Sequence, residues 1–134
     1  MSETNTITVQ EFIADKFRDL RIAAHHSIIS TFRWRGIATT NYDRVLEDAY
    51  AANKGRLQEL IPFLSDLDRV DEKLRLPNHL AYLKLHGCIT RTSDLGIPLI
   101  LTVDQFLHHQ KGRSRLYSVL KEWAYENPFI CPFF

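Results

Sequence analysis

The sequence predicts an α/β fold: a mostly parallel sheet of about three to four short strands flanked by helices. Three observations predict it. Helical periodicity alternates with short apolar runs along the chain. Those runs, at residues 37–40, 80–85 and 98–101, are nearly free of charge, as strands buried on both faces of a parallel sheet are. The chain has 134 residues, 45% of them hydrophobic and 25% charged, enough for one domain with its own core.

Taken in order, Thr8-Val9-Gln10-Glu11 has the form of a capping box, in which the threonine oxygen and the glutamate satisfy free N–H groups. Phe12, Ile13, Phe17, Leu20, Ala24 and Ile28 follow at helical spacing and predict one long helix over residues 9–32. Gly36 breaks that pattern. Ile37-Ala38-Thr39-Thr40 is partly β-branched and uncharged, which predicts a buried parallel strand. Asn41 and Asp43 are N-cap residue types, Val45, Leu46, Ala49 and Tyr50 give the next helix a buried side, and Gly55 is placed to end it.

Leu57, Leu60, Ile61 and Leu64 fit a helix, but Pro62 sits among them, so a strand or irregular segment is expected near residues 59–64. Pro77-Asn78 reads as a turn. Leu80-Ala81-Tyr82-Leu83-Lys84-Leu85 is a strand that runs directly into His86-Gly87. Pro98-Leu99-Ile100-Leu101 predicts a further strand. Thr102-Val103-Asp104-Gln105 is a second capping box, opening a helix that runs to His109. Leu116, Val119, Leu120 and Trp123 mark a last helix. No internal repeat or low-complexity linker interrupts residues 1–134, which read as a single domain.

Charge narrows the function. Seventeen basic and 16 acidic residues leave a net charge of +1, too balanced for a dedicated nucleic-acid binder. The one basic cluster, Lys111, Arg113 and Arg115, reads as a solvated loop. Cys88 and Cys131 form no Cys-x-x-Cys pair and supply neither a structural zinc site nor a disulfide framework, which suits a reducing cytoplasm. The polar N-terminus has no secretory pattern, and no apolar run is long enough for a membrane span. His25-His26 and His108-His109 are helical neighbours that point different ways, so no metal is expected. Trp34, Tyr50, Tyr82 and Trp123 read as packing residues, since they do not alternate with basic side chains.

Two short motifs carry chemistry. In parallel α/β sheets, ligands bind beyond the carboxyl ends of the strands. Thr39-Thr40-Asn41-Tyr42-Asp43 ends one predicted strand and His86-Gly87 ends another. Asn41 or Asp43 could simply cap the following helix, or face a ligand at the free N–H groups there. His86 could be a structural histidine satisfied by backbone, or a general base working near neutral pH.

Taken together, Thr39-Thr40-Asn41-Tyr42-Asp43, Lys84-Leu85-His86-Gly87 and Leu99-Ile100-Leu101-Thr102 resemble, in that order, the sirtuin-like family, especially its bacterial branch that hydrolyses NAD in anti-phage defence. The resemblance covers residues 36–106. It implies a partial Rossmann-like three-layer fold and an NAD or ADP-ribose-like nucleotide as ligand. It also implies that Asn41 contacts the ribose next to nicotinamide and positions a water, that Asp43 holds the carboxamide, and that His86 acts as base on a ribose hydroxyl. Thr39, Thr40, Asn41, Tyr42, Asp43 and Gly87 would line the nucleotide.

The sequence also departs from the family. No Gly-Ala-Gly-x-Ser type phosphate loop precedes Asn41, and Cys131-Pro132-Phe133-Phe134 stands where a strand and a Gly-x-Ser element would continue. The domain is therefore expected to be incomplete at both ends. A homo-oligomer or a partner chain completing the sheet is expected, with poor solubility otherwise. The zinc module of deacetylase sirtuins is missing too, so NAD hydrolysis is expected over lysine deacylation. The alternative is a catalytically inactive module used for nucleotide sensing or assembly.

Overall fold

A computed structural model describes residues 3–68, 74 and 76–131. Helices α1 (Glu3–Arg18) and α2 (Ala24–Ile29) precede strand β1 (Ile37–Thr39). Helix α3 (Val45–Ala52) leads to β2 (Glu59–Phe63), and β3 (His79–Lys84) follows. A 3-10 turn at Ile89–Arg91, helix α4 (Val103–His109), a second 3-10 turn at Lys111–Arg113 and helix α5 (Ser114–Glu126) complete the described elements. The three strands are parallel, in the order β1-β3-β2. Ile37 pairs with Tyr82 and Thr39 with Lys84, while Leu60 pairs with Leu80 and Phe63 with Leu83.

Strand β3 is central and buried, and its alternating side chains build two different layers. Ala81, Leu83 and Leu85 join Phe63, Leu116 and Trp123 in an apolar cluster beneath α5. Tyr82 and Lys84 face the other way, toward α3, where Lys84 Nζ meets Glu47 at 2.7 Å. The three-layer α/β expectation holds on this evidence of packing: α5 on one face, α2 and α3 on the other.

Gly36 allows close approach at this point. A Cβ there would lie 2.2 Å from the Trp123 ring, so the chain entering β1 can pass beneath α5 only with glycine. Pro62, which lacks an N–H, is exposed within β2, an edge strand where proline is tolerated.

The long helix expected over residues 9–32 is two helices. His26 Nδ1 accepts the Ala23 N–H at 3.0 Å, so a new helix starts there under its own cap. Thr8 lies inside α1 and not at its start. Phe12 and Ile28, assigned to a buried stripe, are exposed. Gln10 and Ala14 are buried on α1 instead, and Gln10 Oε1 accepts the Leu99 N–H at 2.6 Å while its Nε2 donates to the Thr92 carbonyl.

The strand expected at residues 98–101 is extended chain outside the sheet, because its amides are spent elsewhere. Leu99 donates to Gln10, and Ile100 donates to the His86 carbonyl at 2.9 Å. The helix expected after Asn41 and Asp43 is found, and it ends at Asn53, whose Oδ1 accepts the Gly55 N–H. The second capping box is found at Thr102 and Gln105. Arg113, assigned to a solvated loop, is 2% exposed, whereas Lys111 and Arg115 do face solvent. No helix among the described residues is long and apolar enough to cross a membrane.

Candidate functional site

The sheet register brings the two motifs together. Thr39 and Lys84 are paired neighbours at the carboxyl ends of β1 and β3, and the Leu85 N–H donates to the Thr39 carbonyl at 3.0 Å. Asn41 lies two residues beyond Thr39, and His86 two beyond Lys84. Both therefore leave adjacent parallel strands on the edge where α/β sheets take ligands.

The Thr39–Asp43 turn is held from several sides. Thr39 Oγ1 accepts the Asn41 N–H at 3.1 Å, leaving the Asn41 side chain exposed on the edge. Asp43 Oδ1 accepts the Val45 N–H at 2.9 Å, an Asx-type turn just ahead of α3, whose N-cap residue is Arg44. The Tyr42 hydroxyl donates to the Ile100 carbonyl, and the Tyr42 carbonyl accepts the Ile89 N–H at 3.0 Å. Thr40 is exposed beside Asn41.

Lys84 lies under this turn. It is 0% exposed, yet its ammonium has three partners: the Asp43 carbonyl, Glu47 Oε1, and Cys88 Sγ at 3.2 Å. A cation this deep is tolerable only when paired, and here the pairing fastens the first motif to the strand that carries the second. Tyr82 sits beside it. Burial pushes the Tyr82 phenol well above the ordinary tyrosine value, the nearby Glu47 and Asp43 charges add to this, and its hydrogen bond with Thr39 opposes it.

His86 is half-buried, edge-on to Phe106 with ring centroids 6.4 Å apart, and Phe106 in turn meets Tyr117 at 6.1 Å. Burial lowers the His86 pKa below its ordinary value, and the Arg113 cation lowers it further. Near neutral pH the imidazole is therefore uncharged, the form that can accept a proton. Gly87 has φ +95°, a conformation side-chain-bearing residues rarely adopt, and a Cβ there would stand 3.0 Å from the Pro98 carbonyl. The glycine of the second motif is thus required by backbone geometry.

Two surface hollows are lined by neighbouring residues. One, of about 230 Å³, is lined by Phe17, Arg18, Arg44 and Asp48 among others. The second, of about 210 Å³, lies between α3 and β2 beside Glu47, Tyr50, Arg56 and Glu59. Neither includes Asn41 or His86. No group of three metal-ligating side chains occurs among the described residues.

Asn41, Asp43 and His86 are thus on one edge, as are Thr39, Thr40, Tyr42 and Gly87. Tyr42 and Asp43 also carry structural bonds. Sequence reasoning missed Lys84, Glu47, Arg113 and Gln10 as supports of this edge. A lysine inside an otherwise apolar strand was the available signal for the first.

Comparison with curated proteins gives no match. The family model described as the SIR2-like domain matches residues 35–131, which run from the approach to β1 through α5 and take in both motifs. That span is most of the chain, and the chain belongs to the sirtuin-like family.

Proposed function

We propose that this domain binds NAD and hydrolyses the bond between nicotinamide and ribose. The observation that supports this most is the Thr39–Lys84 pairing, which sets an exposed asparagine and an uncharged histidine on neighbouring strand ends. In this reading Asn41 contacts the ribose and orients a water. His86 takes a proton from a ribose hydroxyl and returns it as water adds, and the remaining oxygen of Asp43 holds the carboxamide. Thr39, Thr40, Tyr42 and Gly87 line the nucleotide. The ribose–nicotinamide bond breaks with its electron pair leaving on nicotinamide. Water adds its oxygen to the ribose carbon and releases a proton, so the products are ADP-ribose, nicotinamide and H⁺. Positioned amide and imidazole groups suit this chemistry, because the difficulty lies in orienting and polarising the ribose.

The test is nicotinamide release from NAD by the purified chain, beside His86→Ala and Asn41→Ala. Each substitution is expected to lower release by on the order of 10²–10⁴-fold. Release that survives both would remove this reading. Anti-phage defence, a cytoplasmic setting, and a homo-oligomer or partner chain completing the sheet belong to the same proposal. The first is checked by cellular NAD during infection with wild-type or His86→Ala protein expressed, the last by sedimentation.

A second reading has its own observation. α1 and α2 occupy residues ahead of β1 where the family's glycine-rich phosphate loop would come. A non-catalytic module for nucleotide sensing or assembly fits that arrangement. Calorimetric NAD binding without nicotinamide release would favour it.

A further inference from the structure

Arg113 is a cation buried to 2% exposure in a short turn that the sequence marks as solvent-facing. Its Nη2 donates to the Pro98 carbonyl at 2.9 Å and its Nη1 to the His109 carbonyl at 3.5 Å. Nε is buried without a hydrogen-bond partner among the described residues. Burying a guanidinium to hold two carbonyls is expensive, so the place it holds matters.

That place is the back of the His86 loop. Pro98 presents its carbonyl to Gly87, at the distance where even a methyl group would crowd it. Two residues on, the Ile100 N–H donates to the His86 carbonyl at 2.9 Å. Gln10 fixes the intervening Leu99 amide, and the Tyr42 hydroxyl fixes the Ile100 carbonyl. Residues 98–100 therefore form a strap across His86-Gly87, tied by α1 in the middle, by the first motif at one end and by Arg113 at the other.

We propose that Arg113 is a positioning residue for His86: its buried guanidinium pins the Pro98 carbonyl, and the pinned strap sets the place of the imidazole on the motif edge. This rests on the reading of His86 as the base. The charge acts in the same direction, since a fixed cation nearby disfavours a second positive charge on the imidazole. The titratable groups around this pair are His109 from α4 and Tyr117 from α5, with Asp66 acting on Arg113 from the loop after β2. Of these, only Arg113 adds to burial in lowering the His86 value.

The test uses the whole chain and needs no turnover: an NMR titration of the His86 imidazole, with hydrogen exchange at the Ile100 amide, in wild type, Arg113→Gln and Arg113→Lys. Arg113→Gln is expected to raise the His86 midpoint and speed Ile100 exchange. Arg113→Lys keeps the charge but not the two-carbonyl fork, so the midpoint should stay near wild type while Ile100 exchange speeds. A folded Arg113→Gln with unchanged midpoint and unchanged exchange overturns the proposal. If that variant does not fold, unchanged Ile100 exchange in Arg113→Lys overturns it instead. Where nicotinamide is released, Arg113→Lys should lower kcat on the order of tenfold to a hundredfold through misplacement of the base. A chain that shows both NMR effects and releases no nicotinamide would lose the base assignment and keep Arg113 as the support of the loop.

Discussion

The two faces of the sheet are made by alternate residues of the same strand, and they are held together differently. Beneath α5, Leu83 and its neighbours form a dry layer of aliphatic and aromatic groups. Beneath α3, one residue further along β3, lies a buried polar layer. There Lys84 binds Glu47, the Asp43 carbonyl and Cys88. Burial of apolar area is non-directional, whereas buried hydrogen bonds fix groups at set distances. The dry face therefore supplies stability, and the polar face supplies placement for the edge that carries Asn41 and Asp43.

Breaking the polar face should show the largest effect. Lys84→Met leaves Glu47, 12% exposed, without its cation, and is expected to cost ~3–5 kcal/mol in urea unfolding. The double variant Lys84→Met with Glu47→Leu should recover most of that loss while leaving the Asp43 carbonyl unanchored. Nicotinamide release that returned along with stability would show that the polar face does nothing beyond packing. On the dry face, Leu83→Ala at a 0% exposed site should cost roughly 2–5 kcal/mol, measured the same way. The Ile89 amide, bonded to the Tyr42 carbonyl at 3.0 Å, is expected to exchange in this variant only as fast as the lowered global stability allows, measured by hydrogen exchange.

Smaller effects sharpen the contrast. Gly87→Ala forces a side chain into a positive-φ position against the Pro98 carbonyl, for about 1–3 kcal/mol. Tyr50→Phe runs the other way. The Tyr50 hydroxyl is buried with no hydrogen-bond partner among the described residues, and burial pushes its pKa up to about 12. Removing it should be neutral or stabilising by up to roughly 1 kcal/mol in thermal unfolding.

Acidification gives the mildest change. His26, His86 and His109 all sit below their ordinary pKa, burial being the first cause in each. Their folded values are depressed, so the unfolded chain takes up protons first. Stability should be intact above about pH 6.5 and decline as the pH falls below it through the folded values. His86→Ala should shallow that decline in a pH series of melting curves.

Much of this was legible in the sequence. Apolar patterns located β1, β3, α3 and α5, and the Thr102–Gln105 capping box located α4. The helix boundary near residue 23 was not legible, since it depends on the His26 ring accepting the Ala23 amide, which no apolar pattern encodes. Nor was the detachment of residues 98–101 from the sheet, which turns on Gln10, 89 positions earlier, taking the Leu99 amide. The two motifs were legible as strand ends. Of their supports only Lys84 left a signal, a charge inside an apolar strand, whereas Glu47 and Arg113 look like ordinary surface charges until the fold covers them.

Pro62 has one more consequence. A strand that meets the outer side of β2 finds a ring where an amide should be, so a backbone ladder cannot run unbroken along that side. The opposite border, β1, is three residues long, too short to template a stack of strands. Repeated strand-on-strand stacking is therefore disfavoured at both described borders, while a single partner strand can still close the sheet at β1. The sheet itself is a poor seed for fibrils.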